Sequence, residues 1–449
     1  MTLLLLGSLV GTATAAPPTA VRPTAARPTA VYWEEGRRTD VLYVELHAPA
    51  PRERARWAHD VDWRDLDTLI GPAKVRPVAA TLPRFLRVDT EDAELLGTEL
   101  LADPRVAHAW LGYAAMPPPV DIDPFTPDLR VEQDWLDAFP GLGFPEAARW
   151  PGGRGDNVTI VDIEYGWDEA HEDLESAIGA AAWGENRNLY VYHGNSVLGQ
   201  LVGGVNGYGI DGAVPGATPL VVSPFTDDGA YDIAAAVAGA TALLRPGDVI
   251  LIEQQSYANG DYCPVSVDPA VFAAIEAAVA AGIVVVEPGG NGGQNLDAEY
   301  WDGWFDREHD SGSILVGGGS SPRGGVWEPR SWFPLGSSHG ARIDVQGWYD
   351  GIVTATSGEY GTAVADLYYP EEDGRQAYTR SFGGTSGASP MIAAIAAIAQ
   401  SVAIELTGEP WAPEELRAAL VATGTPQTGE NLIGPQPDLR RLLRTYFSP

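Results

Sequence analysis

From about Gly153 onward the chain alternates short β-branched runs with alanine-rich helical runs, and this rhythm limits the fold more than any other feature. Strands are expected at Val158–Gly166, Ala217–Phe225, Asp248–Gln255 and Ile283–Gly290. Between them Asp232–Leu244 and Asp268–Gly282 read as helices, the second with Asp268 as N-cap, Pro269 at the first position and a closing glycine. Such alternation implies an α/β fold, a parallel sheet with helices on both faces. Functional residues in such folds collect beyond the carboxyl ends of the strands.

Less of the chain is needed for that sheet than is available. At 449 residues there is room for two or three domains of about 150 residues each. Residues 1–15 resemble a secretory signal: an apolar run from Leu3 to Val10 leads to Ala13-Thr14-Ala15, although no basic residue precedes Arg22. This predicts a secreted protein. Residues 16–30 carry a repeated Pro-Thr-Ala and read as an extended linker. Residues 31–117 read as a small α+β domain with strands at Val41–Leu46, Arg84–Asp89 and Arg105–Tyr113, and a helix ending near Asp103-Pro104. Residues 118–449 form the larger domain. The helical starts at Trp411–Leu416 and the closing Arg440–Phe447 belong to it, and Trp135, Phe139 and Phe144 are expected to pack a lead-in against it. No later run of 18 apolar residues stands out as a membrane span. A net charge of -33 argues against nucleic acid and anionic membranes as partners, and a monomer is expected. The single cysteine, Cys263, excludes an internal disulfide and reads as a buried thiol.

Four segments at expected strand or helix ends carry chemistry. In Gly384-Thr385-Ser386-Gly387-Ala388-Ser389-Pro390, the proline fits only a first helical turn, which puts Ser386 at a helix N-terminus. A serine there is either a cap or a nucleophile. His193, at a strand-to-helix junction in Tyr192-His193-Gly194-Asn195, is a surface histidine or the base that a serine hydroxyl needs. His339-Gly340 repeats the dipeptide without a helix after it. Asp162 and Glu164 end the first strand on one side, roughly 6–7 Å apart, and either could hold the imidazole. Asn291, in Gly289-Gly290-Asn291-Gly292-Gly293, is a turn residue or a donor to an oxyanion.

Together the four, in the order acid, His, Asn, Ser, resemble the subtilisin-like serine peptidases, which share that triad order. Gly-Thr-Ser-Gly-Ala-Ser-Pro resembles the family's Gly-Thr-Ser-x-Ala-x-Pro, His193-Gly194 its histidine motif, and Gly290-Asn291 its oxyanion strand. The resemblance covers about residues 150–402 and implies Ser386 as nucleophile, His193 as base and Asn291 as oxyanion donor. Aligned on His171-Glu172-Asp173-Leu174, the acid position is Glu164, where the family has Asp, with Asp162 the alternative. By placement, residues 31–117 resemble the family's inhibitory propeptide, which implies a zymogen that cuts itself between Tyr113 and Asp121, acts on protein or peptide substrates and binds its own propeptide. Glu253 and Glu287 fall near the cleft expected from the family and would favour basic substrate residues, unless both are buried and paired. No cofactor is implied; acidic loops at 297–310 and 371–373 could take Ca²⁺, without a specific ligand spacing. Two other classes stay open. One is a catalytically degenerate scaffold kept as a binding module. The other is an α/β-hydrolase esterase, which the serine-last order and Ala388 disfavour.

Overall fold

The computed structural model describes residues 37–47, 74–78, 85–90, 93–113, 122, 124–325, 327–334 and 336–447. The signal-like segment, the Pro-Thr-Ala linker and most of the expected processing region lie outside these residues. The chain divides into two compact units, 1–118 and 119–449.

In the first unit β1 (Arg37–Leu46), β2 (Lys74–Pro77), β3 (Phe85–Asp89), α1 (Ala93–Leu101) and β4 (Val106–Tyr113) follow in order. The strands form an antiparallel sheet, β2-β3-β1-β4. Alternate residues Leu42, Val44, Leu86 and Val88 point to one face and bury against Leu96 and Leu100 of α1. An α+β unit results, built by period-two strands covered by one helix.

The second unit is organised by a six-stranded parallel sheet. Its elements are β5 (Thr159–Ile163), α2 (Val191–Val202), β6 (Thr218–Val222), α3 (Ile233–Leu243), β7 (Val249–Ile252), the hairpin β8 (Gln255–Ala258) and β9 (Asp261–Pro264), α4 (Pro269–Ala280), β10 (Val284–Pro288), β11 (Ile314–Gly319) and β12 (Val345–Trp348). After them come the antiparallel pair β13 (Ile352–Ala355) and β14 (Tyr378–Phe382), then α5 (Thr385–Thr407), α6 (Pro413–Thr423) and α7 (Leu439–Tyr446). The sheet order is β12-β11-β10-β7-β5-β6, all parallel. The chain passes from β5 outward to β6 and then returns across β5 to β7. That reversal opens a crevice at the carboxyl ends of β5 and β7.

Residue parity separates the two faces. Ile160, Val249, Leu251, Val284 and Val286 face α2 and α5 in the larger core, while Val161, Ile163, Ile250, Ile252 and Val285 face α3 and α4. Both sets are buried, because helices cover both faces. Asp268 caps α4 by accepting from Ala270 N and Val271 N, and Asp232 caps α3 by accepting from Ala235 N.

The helix expected to begin at Ser386 is α5; it is long and apolar enough to cross a membrane, but its apolar window is buried almost throughout, and it is the central core helix of this unit. Two expectations change. Trp135 and Phe144 join that core, Trp135 Nε1 donating to Val353 O, whereas Phe139 stays exposed. Pro390 stands sixth in α5, not in its first turn. A helix tolerates this early proline at the cost of one hydrogen bond, to the carbonyl four residues before it, here that of Ser386. Ser389 Oγ donates to Thr385 O beside it, at 2.8 Å.

Candidate active site

Glu164 follows directly after β5, its backbone still tied to β6 through Glu164 N and Val222 O. Its side chain is fully buried. His193 is the third residue of α2, preceded by a turn rather than a strand, with Tyr190 in the left-handed region at φ 52°. Helix α2 reaches the end of β5 because Gly194 has no side chain: a Cβ there would lie 2.1 Å from Gly166 O. Asn195 pins the helix start, accepting from Asp168 N and donating to Thr356 O. The outcome is a bond of 2.5 Å between His193 Nδ1 and Glu164 Oε1, with Glu164 Oε2 accepting from Tyr165 N. Since the carboxylate can only accept, the imidazole N–H points to it and Nε2 is left to face the cleft. Burial pulls the His193 pKa down, but the Glu164 charge and hydrogen bond outweigh it, and the net direction is upward.

Ser386 is the second residue of α5, after Gly384 at φ 84°. In this first turn Thr385 N donates to Asn291 Oδ1 and Gly387 N to Gly384 O, which leaves the Ser386 amide beside the hydroxyl. Asn291, beyond β10, is oriented by its neighbours: its Oδ1 accepts from Thr385 N at 2.9 Å and Thr385 Oγ1 at 3.0 Å, and its N–H donates to Gln255 Oε1 at 2.9 Å. With the carbonyl oxygen engaged, the Nδ2 donors are free to turn outward. A Cβ on Gly384 would sit 3.3 Å from that nitrogen. His193, Ser386 and Asn291 line one cavity of about 360 Å³.

The other predicted acids fall elsewhere. Asp162 does not touch His193; it lies deeper on the same face, 1% exposed, with neither oxygen hydrogen-bonded, and burial followed by the Glu164 charge pushes its pKa well up. Glu287 is one residue out of phase with the cleft face. Its Oε1 accepts from Ser266 N and its Oε2 from Ser313 Oγ on the side toward α4, so it is held within the fold and does not meet substrate. Glu253 is on the cleft face but 3% exposed and is not among the residues lining the cavity. It is not paired with arginine. Selection for basic substrate residues by these two carboxylates therefore has no support in their positions.

One aspartate in each acidic loop named for Ca²⁺ is held by arginine: Asp310 pairs with Arg342 and Arg417, and Asp373 with Arg375. Among the described residues, the one group of three or more His, Cys, Asp or Glu side chains whose ligand atoms all lie within 4.8 Å of one another is Glu164, His193 and Glu253. Cys263 is buried and free, its Sγ near Ser256 O, and burial raises it to about 12.

Gln255 and Tyr192, from the segments around Glu253 and His193, also line the cavity. Sequence reasoning missed the rest of the wall, Thr379, Ser381, Phe382 and Gly383. Phe382 meets the His193 ring edge-on at 5.6 Å. These residues have no motif; β14 enters the wall only through its pairing with β13.

The arrangement can deprotonate a hydroxyl at a helix N-terminus and stabilise an oxyanion beside it, which is the chemistry of acyl transfer. Comparison with known proteins agrees. Residues 153–436 match the profile of Peptidase S8, the subtilase family. Among solved structures, proteases from Pseudoalteromonas arctica share the fold with a TM-score of 0.50, 18% identity, and coverage of 71% of this chain and 98% of theirs. The prenylagaramide maturation protease PagA gives 0.49 and 17%, covering 67% and 97%. A cold-adapted subtilisin-like serine proteinase gives 0.45 and 15%, covering 64% and 89%. No curated protein matches the chain. A six-stranded parallel sheet with this site at its switch point, and a family profile spanning more than half the sequence, lead to one conclusion: the chain belongs to the subtilase family.

Proposed function

We propose that the protein is a secreted serine endopeptidase made as a self-processing zymogen, with Ser386 as nucleophile, His193 as base and Glu164 as the acid that holds it. The observation that carries this reading is the His193–Glu164 bond, made in a cavity that Ser386 and Asn291 also line. In the reaction His193 Nε2 takes the Ser386 proton as Oγ attacks the peptide carbonyl. Asn291 Nδ2 and the Ser386 amide receive the oxyanion. His193 then protonates the leaving amine, and water, activated by the same ring, releases the acyl group. Signal-like residues 1–15 support secretion. The α+β unit ahead of the catalytic unit supports an inhibitory propeptide.

The test is Ser386→Ala beside the wild type. The wild type should label with a fluorophosphonate probe, hydrolyse casein, and release a fragment whose new N-terminus lies between Tyr113 and Asp121. Ser386→Ala should remain full length, unlabelled and inactive, with kcat down by a factor of about 10⁶. A wild type that neither labels nor cleaves would instead leave a binding scaffold.

A further inference from the structure

Glu253 is the polar group that this site leaves unexplained. It stands one residue past β7, its N–H donating to Ile163 O, on the sheet face that carries Asp162 and Glu164 from β5. It is 3% exposed, and neither carboxylate oxygen has a hydrogen-bond partner of normal geometry. Glu164 and His193 each bring an atom within 4.8 Å of it, and the Ser386 hydroxyl faces it from the first turn of α5. No Lys or Arg is among these neighbours, and His193 is the group among them that can become a cation. Asp162 and Glu164 come from β5, His193 from α2 and Ser386 from α5, while β10 turns Glu287 to the opposite face.

An unpaired carboxyl in such a place is least costly as the acid. Burial, then the charges of Glu164 and Asp162, push it that way and outweigh the opposing pull of the Ser386 hydroxyl. An acid has one O–H and must donate it. We propose that Glu253 is a positioning residue for the nucleophile: its neutral carboxyl donates to Ser386 Oγ, which leaves the serine's own proton directed at His193 Nε2. The chain of donors then runs from Glu253 through Ser386 and His193 to Glu164, each O–H or N–H used once. Ionised, Glu253 would reverse the first link by accepting the Ser386 proton and drawing it away from the base. The inference rests on the peptidase reading above.

The test compares wild type, Glu253→Gln, which keeps a donor and cannot ionise, and Glu253→Leu, which fills the space without one. In Glu253→Gln the ratio of kcat at about pH 10 to kcat at about pH 7 should rise at least about tenfold over wild type. Glu253→Leu should lose about 100-fold in kcat with KM within about twofold. Infrared spectroscopy reads the contact without turnover: the protonated-carboxyl band lost in Glu253→Gln should shift in frequency in Ser386→Ala. An alkaline limb identical in wild type and Glu253→Gln, or a band that Ser386→Ala leaves unmoved, would overturn the inference. A shifted band in a protein with no Ser386-dependent hydrolysis would keep the Glu253–Ser386 contact and remove the peptidase reading instead.

Discussion

At the scale of single residues, the use of glutamate to hold the imidazole is the feature that sets this site apart from the pattern it resembles. Glutamate reaches one methylene further than aspartate, and here it starts just past the end of β5, fully buried, and still meets His193 Nδ1 at 2.5 Å. Because Glu164 raises the His193 pKa above its ordinary 6.5, the imidazole loses its proton only above that value, and with His193 as the proposed base the acid limb of kcat/KM should fall there. Glu164→Gln removes the charge but not the length. Its acid limb should move down, and kcat should drop by a factor of about 10³–10⁴, both read from one pH–rate series. An unmoved limb would show that Glu164 does not set the imidazole. Ser386, His193 and Asn291 were legible in the sequence because each sits in a short motif. The choice between Glu164 and Asp162 was not, since period two places both on one face and only the position of the α2 ring separates them.

At the scale of elements, parity and packing decide what a motif can do. Glu253 and Glu287 both follow β-branched runs and read alike in sequence. The parallel register of β5, β7 and β10 puts the first toward α5 and the second toward α4. The caps show the reverse situation, in which local chemistry suffices: Asp268 and Pro269 start α4 where the sequence predicts. Asp268→Ala should cost about 1 kcal/mol and lower Tm by a few degrees. Since α4 covers the face away from the cleft, kcat/KM should hold; a change in kcat/KM would mean that α4 couples to the site. Helix α5 obeys its environment more than its composition. Its apolar residues lie inside a shell of sheet and helices, and its early proline is accepted close after Ser386.

At the scale of the whole molecule, buried acids make stability depend on pH. Burial raises Asp162, Glu253 and Glu287, and Asp173 to about 7. For each, the folded state keeps a proton that the unfolded chain gives up, so the stabilisation is complete below the ordinary carboxyl range and is lost as pH rises toward the folded value. His193, also raised, loses its share above 6.5. His171 opposes them: burial lowers it to about 4, so its contribution grows as pH rises from there to 6.5. The carboxyls outnumber it. The unfolding free energy should therefore fall between about pH 5 and pH 8, by about 1.4 kcal/mol per pH unit for each proton difference, and Tm should fall with it. Asp162→Asn should flatten that slope, as thermal unfolding across pH would show; a flat wild-type curve would contradict the assignment. Added salt should raise Tm at neutral pH, because a charge of -33 repels itself.

What the sequence by itself determined is whatever depends on near neighbours: the strand–helix rhythm, the caps of α3 and α4, and the serine, histidine and asparagine in their local turns. What only the tertiary structure decided is which of four carboxyls touches the imidazole, which lies buried beside Ser386 and which faces away. The difference is physical. Period and capping act over a few residues of one chain segment, whereas the fate of a carboxylate is set by strand register and by helices from other parts of the chain, α2 bringing His193 to Glu164 and α5 bringing Ser386 to Glu253.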